Sequence, residues 1–499
     1  MSQPVSLILI NTPWETPLRK GYYYPSLGIC YIATYLKRHL QDEIKIAVID
    51  GLFENSIEKI IKKIKEKKPD VIGISSTTLE FANAIEIAQK IQKDFFVPVI
   101  VGGVHISALP HTLPKCFNIG VIGEGEQAML ELMQLFSKYK NFPAEKLKKI
   151  NGIVFRNKNK VTITAPRLHI EPLDKIPHPN LDYFDMEYYL RPRQHLAGVF
   201  GRGTHIITSR GCPYKCVFCG GSHFWKTVRF HSANYVIEEI RNLINRYDVD
   251  CINILDDLFA ASKQRLIEIS KLIKEEKINK KVKFGCQMRA DLLNDEMAKL
   301  LKEMNVVYLG FGLESGSEKI LNYLKRGTVT VEENKKGIEI ANKYGFKTGS
   351  GFMIGNPNET MKDLEKTYNF IISNPLDTMG MYITTPLPGT ELWCYAKDKG
   401  IVSENMDWSQ LNQFFFETDK ILSDMELDEF KKALSKLQLA ASLSSLKKRN
   451  PILLVFQILK IAASILKRNP REIPGYFSLL MDLLITGNKK HSKIFSDNF

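Results

Sequence analysis

The sequence predicts an α/β protein with two consecutive sheet domains and a helical region at its C-terminal end. In the first 140 residues, short apolar runs alternate with amphipathic stretches, and this alternation indicates a parallel sheet with helices on both faces. A second alternating series begins at His205 and contains six strand–helix units, which favours a barrel or an open part of one. After about Asp424 the pattern is wholly helical. Because single cores stop growing at roughly 250–300 residues, the 499 residues are expected to form several domains.

The first series contains five apolar runs with the length of buried strands, at residues 5–10, 44–49, 71–75, 97–101 and 119–122. Helical stretches are predicted between them, at residues 27–39, 56–67 and 81–94. Glycine-rich turns follow the later strands. In parallel sheets of this kind, ligands bind beyond the carboxyl ends of the strands. We therefore expect a ligand site at that edge of the first sheet.

The second series predicts six strands, at residues 205–208, 251–255, 283–287, 307–312, 349–354 and 379–385. The clearest helices between them are at residues 235–246, 264–276 and 331–344. Between the two series lies a connector with a small hairpin, 150–156 and 161–165, around Asn157-Lys158-Asn159. The expected division is 1–145 for the first sheet domain, 146–200 for the connector, 201–420 for the barrel and 421–499 for the helical region.

The charge of the chain and its distribution argue against some classes of function. The formal charge is +14, but residues 447–499 hold ten Lys or Arg against three Asp or Glu, so half of the excess lies in that tail. The rest of the chain is only mildly basic, which argues against a nucleic-acid-binding protein. The N-terminus has no basic stretch of a signal peptide, and no apolar run reaches the ~20 residues of a membrane span. We expect a cytoplasmic protein.

The segment Ser209-Arg210-Gly211-Cys212-Pro213-Tyr214-Lys215-Cys216-Val217-Phe218-Cys219 directly follows the first predicted barrel strand. Three thiolates on one loop can hold three corners of a four-iron cluster, and the fourth iron then stays open to a substrate. The alternatives are unrelated surface cysteines or a structural zinc site, with His223 as its fourth ligand. The other five cysteines are scattered, so no second cluster is expected.

The C-x3-C-x2-C spacing, with an aromatic residue before the last cysteine, resembles the radical S-adenosylmethionine superfamily. The resemblance covers about residues 200–400 and implies a partial, TIM-type (βα)6 barrel, with Cys212, Cys216 and Cys219 as ligands of a [4Fe–4S] cluster. It also implies S-adenosylmethionine contacts at the ends of the strands, from Phe218, Asp256, Asp257, Gln287, Arg289, Glu314, Ser315 and Gly355. The alternatives are that Asp256 and Asp257 cap a helix, that Arg289 is a surface arginine, and that glycines such as Gly355 only form turns.

The first domain resembles the cobalamin-binding domain of the cobalamin-dependent radical subclass, on residues 102–110, 123–126 and the helix start at 25–28. This resemblance implies a flavodoxin-like (Rossmann-like) sheet with cobalamin contacts from Ser75, Ser76, Thr77, Gly102, Gly103, His105, Gly123, Glu124 and Gly125. The first strand leads into Asn11-Thr12-Pro13-Trp14 and not into the Asp-x-His-x-x-Gly motif of many cobalamin domains. We expect His105 to contact cobalamin without ligating cobalt. A remnant domain without cobalamin is the alternative.

Together the two resemblances imply C-methylation of an unactivated carbon, with a [4Fe–4S] cluster, S-adenosylmethionine and cobalamin as cofactors. Ring formation or rearrangement, on a lipid for example, with cobalamin lost or not used for methyl transfer, is the alternative. The implied partners are a small-molecule or lipid substrate and an external electron donor of the flavodoxin or ferredoxin type. No catalytic residue is predicted beyond the cofactor contacts. The apolar stretches 452–468 and 476–485 are read as buried helices or as helices that touch a membrane surface.

Overall fold

Seven strands form the first sheet of the computed structural model, which describes residues 3–13, 24–158, 160–196, 199–225, 227–411 and 420–449. The strands are β1 (Val5–Asn11), β2 (Ile44–Asp50), β3 (Val71–Ser75), β4 (Val99–Gly102), β5 (Ile119–Val121), β6 (Ile153–Asn157) and β7 (Lys160–Ile163). Their spatial order is β2-β1-β3-β4-β5-β6-β7. The first five strands are parallel and have the order of flavodoxin-like sheets, which confirms the predicted fold.

The helices of this part are α1 (Leu27–Leu40), α2 (Gly51–Glu54), α3 (Ile57–Lys67), α4 (Phe81–Asp94), α5 (Val104–Ala108), α6 (Glu126–Tyr139) and α7 (Ala144–Leu147). Helix α3 shows why the sequence folds this way, since its isoleucines recur at helical spacing and only that face is buried. Ser56 caps its N-terminus by accepting a hydrogen bond from the Lys59 amide. Strands β3 and β4 are covered on both faces and are therefore apolar almost throughout.

The predicted hairpin of the connector is present as β6 and β7. It pairs antiparallel with β5 and so extends the first sheet, which places this part of the connector within the first sheet. Asn159, at its turn, lies outside the described residues, as do Trp14 and the predicted helical segments 452–468 and 476–485.

Six parallel strands form the second sheet, in the order of the chain: β10 (Gly203–Ile206), β13 (Cys251–Ile254), β14 (Lys283–Met288), β15 (Val306–Glu314), β16 (Lys347–Ile354) and β17 (Thr378–Ile383). Two short hairpins accompany them, β8 (Arg193–Leu196) with β9 (Val199–Gly201), and β11 (Ser209–Arg210) with β12 (Arg229–Phe230). The sequential order of six parallel strands is that of an open (βα)6 barrel, as predicted.

Helix α8 (Met186–Tyr189) packs against the first sheet, where the Tyr189 hydroxyl donates to Asp50. The helices of the barrel part are α9 (Gly221–Phe224), α10 (Ala233–Tyr247), α11 (Lys263–Glu275), α12 (Asp295–Glu303), α13 (Glu318–Lys325), α14 (Val331–Lys343), α15 (Met361–Ser373), α16 (Glu391–Asp398) and α17 (Leu427–Arg449). Helix α17 packs on β17 and α15, where Lys448 bonds Thr348 (2.8 Å) and Asp377 (2.9 Å). It thereby covers the outer side of the last strand. In the part of the chain that the structure describes, no helix is long and apolar enough to cross a membrane.

Candidate active site

The three clustered cysteines lie on the loop that follows β11, at the carboxyl edge of the barrel. They line a cavity of about 510 Å³, named here the cysteine cleft, together with the inward residues at the ends of β14 to β17. Gly211 allows the loop to turn, because its φ is +97° and a Cβ there would lie 2.6 Å from the Thr227 carbonyl oxygen. Cys212, Cys216 and Cys219 are therefore brought together as the sequence predicts.

The arrangement differs from that of a single-ion site. Among the described residues, no group of three or more His, Cys, Asp or Glu side chains is placed to hold one metal ion. The side chain of His223, the fourth ligand in the zinc alternative, lies outside the described residues. A four-iron cluster has a different requirement, because each cysteine binds its own iron and the sulfurs need not converge on one point.

Two cations support the cysteine loop from inside the barrel. The Arg289 guanidinium lies over the Tyr214 ring, 3.7 Å from its centre, and Lys325 Nζ lies 5.6 Å from the centre of the Phe218 ring. Burial raises the pKa of the Cys212 and Cys216 thiols, and the positive charge of Lys325 opposes that rise at Cys216. Phe218 lines the cleft as predicted, but its contact with S-adenosylmethionine remains a prediction.

Arg289 lines the cleft, but its guanidinium is already engaged. It donates to both carboxylate oxygens of Asp291 (2.9 and 2.8 Å) and to the hydroxyl and carbonyl oxygens of Thr328 (3.0 and 2.6 Å). These four bonds and the contact with Tyr214 fix the orientation of the side chain. The structure therefore supports a positioning role beneath the cysteine loop, while the predicted fork onto a carboxylate of S-adenosylmethionine remains untested.

Glu314 reaches the cleft through an unusual backbone conformation. The register of β15 against β16 shifts between Gly312 and Glu314, and Glu314 has φ +61°, which is uncommon for a residue other than glycine. Its carboxylate accepts a charge-assisted hydrogen bond from Lys325 Nζ at 3.0 Å. Glu314 and Gln287 both line the cleft, where the sequence predicts contacts with S-adenosylmethionine.

Asp256 is bonded within the protein, and its predicted contact with S-adenosylmethionine stays a prediction. Its carboxylate is buried and accepts hydrogen bonds from the amides and hydroxyls of Thr208 and Ser209, at 2.6 to 3.2 Å. The side chains after β13 alternate, so that Leu255 and Asp257 face the cavities and Asp256 faces away. Asp256 therefore holds the start of the cysteine loop, and Asp257, which accepts from the Gly211 amide at 3.2 Å, is the one of the pair that lines the cleft.

Ser315 and Gly355 do not line the cleft, and their predicted contacts with S-adenosylmethionine stay predictions. The Ser315 hydroxyl is buried, lies 3.2 Å from that of Thr367 and accepts from the Ser317 amide at 3.1 Å. Gly355 forms a turn with φ +76°, and the position of its missing Cβ lies 3.2 Å from the Phe430 ring. On that strand Gly351 and Met353 face the cleft instead.

Behind Asp256, helix α10 presents a buried carboxyl group, Glu239, which is 4% exposed. Burial, with a smaller contribution from Asp256, raises the pKa of Glu239 to about 8. The unfolded chain releases this proton near pH 4.5 and the folded chain near pH 8. The folded state therefore loses stability as the pH rises through that window.

We expect Glu239→Gln to remove this pH dependence and to raise stability at pH 8 by on the order of 2–4 kcal/mol. Urea unfolding at pH 5.5 and pH 8.0 measures the effect. Glu238→Gln is the matched control, because Glu238 is an exposed neighbour on the same helix and its replacement should leave the pH dependence intact. If wild type and Glu239→Gln lost the same stability between pH 5.5 and pH 8.0, Glu239 would not be the source of the pH dependence.

A second cavity, of about 330 Å³, lies between the carboxyl edge of the first sheet and the barrel and is named here the sheet cavity. Ser75, Gly102, Gly103, Gly123 and Gly125 line it, as the sequence predicts for the cobalamin site. Gly103 must be glycine, because its φ is +108° and a Cβ would lie 2.2 Å from the Ser76 carbonyl oxygen. Backbone can thus approach a ligand closely along this edge.

Three predicted cobalamin contacts, Ser76, Thr77 and His105, do not line this cavity. The Ser76 hydroxyl donates to the Thr77 carbonyl oxygen, and Thr77 is exposed outside the cavity. The His105 ring is fully buried and stacks on Phe81, with ring centres 3.7 Å apart, and burial lowers its pKa to about 3. Full burial disfavours its predicted contact with cobalamin, which stays a prediction. Among the described residues that line the sheet cavity there is no histidine.

A buried group of charges joins the two sheets. Arg210, two residues before Cys212, donates to Glu124 at 2.8 Å and to Glu126 at 2.7 Å. Arg229, its register partner in the β11–β12 hairpin, also binds Glu124. Burial alone would raise the pKa of Glu124, but the hydrogen bonds and charges of the two arginines lower it. Glu124 lines the sheet cavity as predicted, with its carboxylate committed to the arginines.

The cysteine cleft and the sheet cavity meet at Asp257, which lines both. Ile207, Leu255 and Trp225 form much of the barrel side of the sheet cavity. Sequence reasoning missed these apolar residues, and also Lys325 and Tyr382 in the cleft, since nothing local in the sequence sets them apart. Only the register of the strands and the packing of α13 bring them to the site.

Family models match the two halves of this site. Residues 206–371 match the radical S-adenosylmethionine superfamily, and residues 19–133 match the B12 binding domain. A Pyrococcus horikoshii protein named as an uncharacterized methyltransferase is 34% identical over 415 residues, which are 81% of this chain and 85% of that protein. The chain belongs to the cobalamin-dependent radical S-adenosylmethionine enzymes.

A further relative and one solved structure are also similar to this chain. An anaerobic magnesium-protoporphyrin IX monomethyl ester cyclase of Rubrivivax gelatinosus is 28% identical over 75% of this chain and 67% of its own length. The solved structure of the radical S-adenosylmethionine methyltransferase TsrM from Kitasatospora setae matches with a TM-score of 0.70 over 87% of this chain and 91% of that one. At 17% identity, this second likeness shows the fold alone.

A cobalamin-dependent radical enzyme uses a [4Fe–4S] cluster, S-adenosylmethionine and cobalamin, and the residues of this chain fit all three. Three cysteine sulfurs line one cleft, with the ends of four barrel strands facing them. The glycine-rich edge of the sheet cavity suits a bulky planar ligand, because it lets the backbone come close. The two sites are adjacent, as a reaction that uses both cofactors requires.

Proposed function

We propose that this enzyme methylates an unactivated carbon of a small-molecule substrate held between its two cofactor sites. The observation that supports this is the position of Asp257, which lines both the cysteine cleft and the sheet cavity. A substrate beside Asp257 has both cofactor sites within reach. When bound, the cluster with S-adenosylmethionine supplies a 5′-deoxyadenosyl radical and cobalamin supplies the methyl group.

In this proposal, the residues of the chain bind the cofactors, orient the substrate and exclude water. Cys212, Cys216 and Cys219 hold the cluster, while Gln287 and Glu314 face S-adenosylmethionine in the cleft. The apolar barrel side of the sheet cavity keeps water away from the reacting carbon, which limits side reactions of a radical. The electron comes from an external donor of the flavodoxin or ferredoxin type.

Product analysis after anaerobic reconstitution tests the proposal. The enzyme is supplied with iron, sulfide, cobalamin, a reductant, a small-molecule extract and S-adenosylmethionine with a trideuterated methyl group. We expect 5′-deoxyadenosine, S-adenosylhomocysteine and a product that carries the deuterated methyl group. Formation of 5′-deoxyadenosine without S-adenosylhomocysteine would contradict methylation and would favour ring formation, for which the 28% identical cyclase is a precedent.

We further propose a cytoplasmic enzyme, since an oxygen-sensitive cluster with free cysteines suits a reducing compartment. The basic tail, 447–499, adds contact with an anionic membrane surface to this proposal. Flotation with vesicles of anionic phospholipid checks the contact, and a protein that never floats would remove it.

A further inference from the structure

The edge of the barrel at which the strands begin lies opposite the edge that carries the cysteine cleft, and we name it the strand-start face. All six strands are parallel, so their first residues lie together at this edge. Lys283 begins β14 and Lys347 begins β16, and both are exposed. In the turn before β14, Lys277, Lys280 and Lys281 are exposed as well. The strand-start face therefore carries a group of lysines that the cofactor sites do not use.

The positive charge of this face is only partly compensated. Within the described part of the chain, four of its lysines form no salt bridge: Lys277, Lys280, Lys281 and Lys283. The carboxylates of Glu275, Glu276, Glu303 and Asp377 pair with other basic side chains, which are Lys271, Arg241, Lys274 and Lys347. Two further carboxylates, Asp248 and Asp250, precede β13 and offset only part of the four lysine charges. The face is therefore positive overall and suits an anionic partner.

The β8–β9 hairpin crosses the strand-start face and presents an aromatic ring to solvent. Leu196 of β8 packs against Gly285 of β14, where a Cβ would lie 2.4 Å from the Leu196 Cδ2 atom. Gly201 of β9 lies against Cys251, the first residue of β13. Between these contacts, Phe200 is 73% exposed. Exposed aromatic rings beside basic side chains are typical of surfaces that bind the interface of a membrane.

Helix α17 ends at the same face. Lys448 binds Thr348, the second residue of β16, at 2.8 Å and Asp377, directly before β17, at 2.9 Å. Arg449, the next residue, is exposed. In the sequence, residues 450–499 follow, with the apolar stretches 452–468 and 476–485 and further basic residues. The chain therefore enters this apolar and basic segment from the strand-start face.

We propose that the strand-start face docks on an anionic phospholipid membrane, with its lysines against the headgroups and the Phe200 ring in the interface. The inference rests on the membrane contact given under the proposed function and adds the surface that faces the lipid. A nucleic acid would complement the lysines but would not bind the apolar stretches that follow α17. Docking by this face leaves the opposite edge, with both cofactor sites, open to the substrate and the electron donor.

Flotation of the full chain with two kinds of vesicle tests the proposal: phosphatidylcholine alone, and an equal mixture of phosphatidylcholine and phosphatidylglycerol. We expect binding to the mixed vesicles only, and release by salt. A quadruple variant, Lys277→Gln, Lys280→Gln, Lys281→Gln and Lys283→Gln, should lower the partition coefficient by about a hundredfold or more, since each basic residue near an anionic surface contributes roughly a factor of five. The matched control removes four exposed lysines of α3 by Lys59→Gln, Lys62→Gln, Lys65→Gln and Lys67→Gln, and should bind as the wild type does.

The proposal is wrong if the quadruple variant floats as the wild type does, because residues 450–499 would then bind alone, or if phosphatidylcholine vesicles bind the wild type equally well. Phe200→Ser, a single exposed change, is a second variant should the quadruple one not fold, and it should lower the partition coefficient about fivefold or more. Product formation is measured without vesicles on the same samples and should be equal in all of them. A wild type that forms the methylated product but never floats refutes the docking and leaves the methylation intact, whereas one that floats without forming product refutes the methylation alone.

Discussion

Replacement of any one of the three clustered cysteines by alanine should abolish the formation of 5′-deoxyadenosine. Cys212, Cys216 and Cys219 line a single cleft on one loop, and a cluster that loses one of three protein ligands is not retained in a form that leaves one iron for the substrate. In Cys216→Ala, iron should fall from about four per chain to less than about one. The measurements are iron content after anaerobic reconstitution and 5′-deoxyadenosine by chromatography.

Cys394→Ala is the matched control, because Cys394 is an exposed free cysteine on α16 that does not line the cleft. It should keep the full iron content and the full rate. A Cys216→Ala protein that retains four irons and forms 5′-deoxyadenosine at the wild-type rate would contradict the assignment of the cluster.

The second large effect is expected at Arg210, which joins the cysteine loop to the first sheet. Its guanidinium binds Glu124 and Glu126, and all three side chains are buried. Because Arg210→Met leaves the buried Glu126 carboxylate without its counter-charge and Glu124 with Arg229 alone, we expect a loss of about 3–5 kcal/mol in the free energy of unfolding. Cobalamin retention should fall as well, since Glu124 and Glu126 belong to the lining of the sheet cavity. Urea unfolding and the corrin absorbance of the purified protein measure the two effects.

Arg241→Met provides the comparison for this variant. Arg241 pairs with Glu276 on the surface, where 51% of its side chain is exposed, so its loss should cost less than about 1 kcal/mol. Combining Arg210→Met with Glu126→Gln should restore part of the stability, because one unpaired carboxylate is then neutral. Wild-type stability in Arg210→Met alone would show that the buried pairs do not hold the sheets together.

The strands, the helices and the cysteine loop are predictable from the sequence because their signals are local. Apolar runs, amphipathic spacing and the C-x3-C-x2-C motif each occupy a few neighbouring residues. The direction in which a single side chain points at a strand end is harder to predict from the sequence, as Asp256 and Asp257 show. Adjacent residues of an extended chain face opposite ways, so an error of one position exchanges a cleft residue for a buried support.

Contacts between distant parts of the chain could not be predicted at all. Glu124 and Arg210 are 86 residues apart, and neither carries a local sign of its partner. The same holds for Lys325, which reaches Glu314 only because α13 packs behind the cysteine loop. His105 lies in a glycine-rich loop that suggested a ligand contact, but its helix turns the ring into the core against Phe81.

The β11–β12 hairpin carries both arginines that bind Glu124, so the domain that houses the cysteines supplies the cations and the preceding domain supplies the anions. The two modules are therefore not independently interchangeable. A chimaera that grafts the first sheet of a relative onto this barrel would fold with its two domains joined only if the graft brings acidic residues to the positions of Glu124 and Glu126.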